Sequence, residues 1–231
     1  MSARAQEAVE VFDNMPTSNK AETPQDPLFT AELRKLVGEL GKLYNTLGHA
    51  FNVKVYQQRG GDNTFGRVQG SSANDMGAAQ SDIQIFLRKD TPTGSVSQSG
   101  QEVLAHEMIH PFWDMVMNKD LALKNEAIKL FEFVQSIPNL NHSIFLPKGV
   151  TPTANDIKVA KEMFKHVFDN GTEGLVEFLT MGKTNLQFRN NLAAEIVSYK
   201  DANAARGFMA KLGRLFNKVL SLIAGRAHTY D

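Results

Sequence analysis

His106, Glu107 and His110 stand in the pentapeptide His106-Glu107-Met108-Ile109-His110, which reads H-E-x-x-H. On a helix, residues four apart share a face, so both imidazoles reach toward one metal ion with Glu107 beside it. The chemistry this permits is metal-assisted amide hydrolysis. A catalytic zinc site takes three protein ligands and keeps a position for water, and neutral imidazole suits the metal. Zn2+ lowers the pKa of its water toward about 7, and Glu107 would act as general base, passing the water's proton to the leaving amine. With six histidines in 231 residues, composition alone yields such a pentapeptide in roughly one chain in a hundred. The competing reading is a solvated helix face with two unconnected histidines, so the neighbouring sequence must carry part of the argument.

A third ligand is sought downstream, in Asn170-Gly171-Thr172-Glu173-Gly174-Leu175-Val176-Glu177-Phe178-Leu179. Glu173 and Glu177 sit four apart and face the same way on a helix. Glu173 is expected to bind the metal, with Glu177 one turn behind it accepting the far N–H of a ligating imidazole. The alternative is an exposed acidic pair. Leu175, Val176, Phe178 and Leu179 make this helix largely apolar, so its acids should be buried and need partners. Asp114, one turn after His110 but beyond a proline, is the first rival, followed by Asp169, Glu162 and His166. Donors that could face a developing oxyanion are His166, Tyr199, His228 and Tyr230, and the sequence does not choose among them.

These groups need elements to position them. Ser99-Gly100-Gln101-Glu102 is a capping-box pattern that starts a helix through both histidines, and Pro111 should end or kink that helix within a turn. Ahead of it, Phe51 to Tyr56 and Asp82 to Arg88 alternate as strands, with a weaker strand at Phe65 to Gln69, so a small sheet is expected before the motif helix. Thr30 is the expected N-cap of a helix through Leu33, Leu36, Val37, Leu40, Tyr44 and Leu47, stopping at Gly48. After the motif the pattern is helical, at about 119 to 136, 154 to 169, 171 to 181, 184 to 199 and 202 to 224. Thr153–Asp156 and Thr184–Gln187 are further capping-box patterns. Residues 1–27, with Pro16, Pro24 and Pro27, read as a flexible arm or linker, leaving 28–231 as one domain.

Composition narrows the class. At 42% hydrophobic and 22% charged, the chain can bury a core, and 25 basic residues balance 25 acidic ones, so no global field favours nucleic acid or an anionic membrane. The absence of cysteine excludes disulfides and thiolate ligands. The N-terminal stretch lacks the apolar core of a signal peptide, and no apolar run of about 18 residues appears. An intracellular or virion-associated protein is expected. Arg206, Lys211, Arg214, Lys218 and Arg226 lie opposite Phe208, Leu212, Leu215, Phe216, Val219, Leu222 and Ile223. This basic helix, 206–226, either packs its apolar stripe on its own domain or meets a surface. Trp113 is expected to anchor the core.

The order of Ile83-Gln84-Ile85-Phe86-Leu87, the Glu102 to His110 run, Glu173-Gly174-Leu175-Val176-Glu177-Phe178-Leu179 and Leu186-Gln187-Phe188 resembles the zincin-type metallopeptidase domains of large polyvalent proteins in phages and conjugative elements. The similarity spans roughly residues 30 to 225. Departures are Gly174 where that family tends to carry an aromatic, Val176 where it carries alanine, and Pro111 where it carries a small residue. The resemblance implies zinc, a glutamate third ligand of gluzincin type, a protein or peptide substrate, and a last strand before the motif helix whose edge, Gln84, Ile85, Phe86 and Leu87, pairs with extended peptide. The resulting expectation is an α+β, zincin-like fold: a small N-terminal sheet, a motif helix and a mostly helical C-terminal half. Two other functions remain open: a catalytically silent scaffold serving as a binding or structural module, and a repressor-cleaving regulatory peptidase.

Overall fold

The computed structural model describes residues 3–15, 26–46, 50–58, 66–69, 80–88, 99–117, 119–149 and 151–225. Its elements are α1 (Ala3–Asn14), α2 (Pro27–Thr46), β1 (Ala50–Gln58), β2 (Gly66–Gln69), β3 (Gln80–Arg88), α3 (Gly100–Met117), α4 (Leu121–Gln135), a 3-10 turn (His142–Phe145), α5 (Ala154–Phe168), α6 (Gly171–Thr184), α7 (Leu186–Tyr199) and α8 (Ala202–Ile223).

The expected α+β class is corrected: the packed part of the chain is helical. Among the described residues, the buried apolar side chains come from helices and the turns bounding them. Extended backbone is confined there to three short segments, in the order β1-β3-β2. The alternation in residues 82–88 pointed to a sheet as a structural layer. Where side chains are described, the helices bury their apolar stripes against other helices of the same unit.

The chain divides into two compact units, Met1–Thr93 with Ser97–Pro111, and Gly94–Val96 with Phe112–Asp231. In the first, α1 packs on α2. Ala5, Ala8, Val9, Phe12 and Met15 are buried, so residues 3–15 belong to a core and not to the expected arm; residues 16–25 lie outside those described. Gly38 permits this approach, since a Cβ there would stand 3.3 Å from Val9 Cγ2. Arg34 grips Asp13 through two hydrogen bonds of 2.8 Å each, and the guanidinium holds the Asp13 carboxyl below its ordinary range. α2 starts a turn before the expected Thr30: Asp26 Oδ1 accepts from the Leu28 amide at 2.8 Å, and Pro27 takes the first helical position, where a missing N–H costs nothing. Its last residue is Thr46, and Gly48 lies outside the described residues.

The second unit is organised by phenylalanine. Phe131 stacks on Phe168 with centroids 5.5 Å apart, while Phe178 meets Phe188 edge-on at 6.0 Å and Phe208 at 6.5 Å. Such offset and edge-on pairs suit the ring quadrupoles and bury large apolar area. α8 turns Phe208, Leu212, Leu215, Phe216 and Val219 into this core, which uses its apolar stripe. Lys218 donates to Glu126 at 2.6 Å, and Arg206, Lys211 and Arg214 remain exposed. Among the described residues, no helix is long and apolar enough to cross a membrane.

Candidate metal centre

α3 begins with the anticipated capping box: Ser99 Oγ accepts from the Glu102 amide at 3.1 Å, and Glu102 Oε2 accepts from the Ser99 amide at 2.8 Å. Beyond this cap the helix is apolar on every side, with Val103, Leu104, Ala105, Met108, Ile109, Phe112, Trp113, Val116 and Met117 buried. A helix clothed this way belongs to an interior, and any polar residue it carries costs free energy unless it is partnered. His106 and Glu107 are each only 7% exposed, and His110 is half-buried.

Pro111 does not end the helix, which continues to Met117, so the expected stop is corrected. Proline lacks the N–H that would return to the Glu107 carbonyl, so one bond of the helical ladder is missing at this turn. Trp113, two residues further on, is fully buried with its ring edge-on to Phe216 at 6.0 Å, as a core anchor would be.

The two imidazoles converge. His110 Nε2 lies 2.8 Å from His106 Nε2, with ring centroids 4.7 Å apart and planes tilted by 54°. Two nitrogens bound to one tetrahedral zinc at about 2.0–2.1 Å would stand about 3.3 Å apart, so the rings need to part by only about half an ångström. Two facing ring nitrogens must share a proton or a cation. The donor set therefore fits a metal.

The carboxylates that the sequence offers as a third donor, Glu173 and Glu177, both lie on α6. Glu173, expected as the ligand, is exposed, whereas Glu177, expected behind it, is half-buried. Both face the same way on α6, but the depth of each depends on how α6 enters the core. The helix is buried from Gly174 onward, which leaves Glu173 at its mouth and Glu177, with a side chain 17% exposed, one turn inside. Of the rivals, Asp114's side chain lies outside the described residues, Glu162 pairs with Lys158 at 4.0 Å, and Asp169 forms the C-cap of α5. His166 Nε2 lies 3.5 Å from Glu177 Oε1.

Among the oxyanion candidates, His166 is thus beside Glu177. Tyr199 packs against Phe133 at 6.3 Å with Lys200 Nζ over its ring at 4.4 Å, and His228 and Tyr230 lie outside the described residues. The expected peptide-binding edge is also corrected. β3 is the central strand: Gln84 pairs with Lys54 on one side and Arg67 on the other, and Ile85 with Val55 and Gly66. Their backbone hydrogen-bonding sides are already occupied, while Phe86 and Leu87 pair with β1 alone among the described strands.

Tyr44 escaped sequence reasoning, being read only as part of an apolar stripe. Its hydroxyl donates to the Met108 carbonyl at 3.3 Å, and burial together with the nearby Glu107 charge pushes the phenol well above its ordinary pKa. No family model, no curated protein and no solved structure matches this chain, so its site is read from its own residues.

Proposed function

We propose that this chain is a zinc-dependent metallopeptidase in which His106 and His110 hold the metal, a carboxylate of α6 serves as third ligand and Glu107 is the general base. The reading rests on one observation above others: two imidazole Nε2 atoms 2.8 Å apart on a buried helix that carries Glu107 between them. An apolar helix gains nothing from burying a carboxylate and an imidazole unless they have work to do. Glu177, half-buried on α6, is the carboxylate proposed to complete the His-His-Glu set that catalytic zinc sites use.

Bound zinc supplies a water of lowered pKa and a Lewis acid for the scissile carbonyl. The protein's own part is proton transfer and exclusion of solvent. Glu107 takes a proton from the attacking water as its oxygen bonds to the carbonyl carbon, then gives that proton to the amine nitrogen as the C–N bond breaks. Its burial raises the strength of every electrostatic interaction it makes.

The test is zinc content per chain in protein prepared without chelator, followed by hydrolysis of a mixed peptide library. About one zinc per chain is expected, with cleavage that falls by at least about a hundredfold in Glu107→Gln while the zinc stays bound. A wild type that takes up no zinc even when it is added back, or cleavage that survives Glu107→Gln, would sink the proposal.

A further inference from the structure

We infer that His166 is a positioning residue for Glu177, with Asn170 fixing the tautomer in which it acts. The inference rests on the metal-site reading above and adds to it the device that holds its carboxylate in place.

His166 lies on the last turn of α5, Asn170 four residues on at the start of α6, and Glu177 two turns into α6. Asn170 Nδ2 meets His166 Nδ1 at 2.9 Å. With the amide donating, Nδ1 is the acceptor and the ring proton sits on Nε2, which faces Glu177 Oε1 at 3.5 Å. The opposite amide orientation would set the Nε2 lone pair against a carboxylate oxygen. For the neutral ring only the first arrangement is attractive along its whole length, and it places the N–H on the nitrogen that faces the carboxylate.

A second observation points the same way. Asn170 is the N-cap of α6, a position where asparagine ordinarily accepts a bond from the helix amides, yet it makes no such bond. Asp120, Thr153, Asn185 and Asp201 each cap their own helix. Asn170 forgoes a stabilising cap in favour of the imidazole. The backbone makes this geometry reachable, because Gly174 brings the first turn of α6 against the carbonyls of Val167 and His166. A donor on one carboxylate oxygen sets the Glu177 rotamer before any metal arrives, which lowers the ordering cost of binding.

The experiment is a chelator-competition measurement of zinc affinity on the full chain, with the absorption spectrum of the cobalt-loaded protein as a report on ligand geometry. His166→Ala is expected to weaken zinc by about tenfold and change the cobalt spectrum, with the metal-free melting temperature unmoved because the side chain is 47% exposed. His166→Gln, whose amide retains a donor at the ε position, should recover most of the affinity. Asn170→Ala should weaken zinc as well, and the double variant should be no weaker than His166→Ala alone. Wild-type affinity in His166→Ala, or equal losses in the Ala and Gln variants, would overturn the inference while leaving the metal site standing. A wild type that binds no zinc would overturn both.

Discussion

Tyr44 on α2 donates its hydroxyl hydrogen to the carbonyl of Met108, inside the H-E-x-x-H turn, at 3.3 Å. The bond ties the buried face of α2 to the turn that carries Glu107. Burial and the carboxylate's charge both keep the phenol protonated, so it stays a donor across the working pH range. Tyr44→Phe removes the bond and spares the packing, and should cost about 1 kcal/mol in urea unfolding. Tyr44→Ala also empties the space beside Met108 and should cost about 3–5 kcal/mol. Equal losses in the two variants would mean that the hydroxyl contributes nothing.

The different depths of Glu173 and Glu177 on α6 give a sharper test. If the half-buried Glu177 is the third ligand, as proposed, Glu177→Ala should strip zinc from the protein, whereas Glu173→Ala changes an exposed side chain and should leave zinc content at the wild-type level. Elemental analysis of the two purified variants side by side decides it. Loss of zinc in Glu173→Ala with retention in Glu177→Ala would restore the order expected from sequence.

The Asp13–Arg34 pair predicts a pH signature. Its hydrogen-bonded guanidinium lowers the Asp13 carboxyl pKa on folding. A group with a lowered folded pKa adds stability above its unfolded value, near about 4, and that stability is lost as pH falls through the lowered folded value. Asp13→Asn should therefore melt below wild type at pH 7, and the gap should close at the acid end of the titration. Both side chains are about half exposed, 51% for Arg34 and 46% for Asp13, so the gap should also narrow in high salt. A difference in melting temperature that is constant with pH would show that the pair is not its cause.

Features set by residues three or four apart were legible in the sequence. Ser99 with Glu102 and Thr153 with Asp156 form the capping boxes expected of them, since both partners lie within one helical turn. Thr184 shows the limit of that logic: Asn185 caps α7 instead, while the Thr184 hydroxyl turns back to the Thr180 carbonyl at 2.8 Å. Outcomes that depend on packing between elements were not legible. Pro111 reads as a stop or a kink, yet its helix runs on to Met117. Glu173 and Glu177 are equivalent in spacing, and only the seating of α6 against α5 separates them. Gln84 and Ile85 read as an edge because nothing local in the sequence shows that both sides of β3 are taken.

That seating can be tested at Gly174. A Cβ there would fall 2.1 Å from the Val167 carbonyl oxygen and 3.2 Å from that of His166, both backbone atoms with little room to give. At Gly182, on the same helix, the nearest obstacle is Leu212 Cδ2 at 2.7 Å, the end of a side chain that can rotate. Alanine ordinarily stabilises a helix interior relative to glycine by about 0.5–1 kcal/mol, which works against the clash at both sites. Gly182→Ala should therefore stay within about 1 kcal/mol of wild type, whereas Gly174→Ala should lose about 1–3 kcal/mol because the helices must part. Parting them moves Glu177 away from His166, so Gly174→Ala should also weaken zinc while Gly182→Ala does not. Denaturant unfolding with zinc titration on both variants checks this, and a Gly174→Ala protein that keeps wild-type stability and zinc affinity would show that the close approach of α6 to α5 is not what places Glu177.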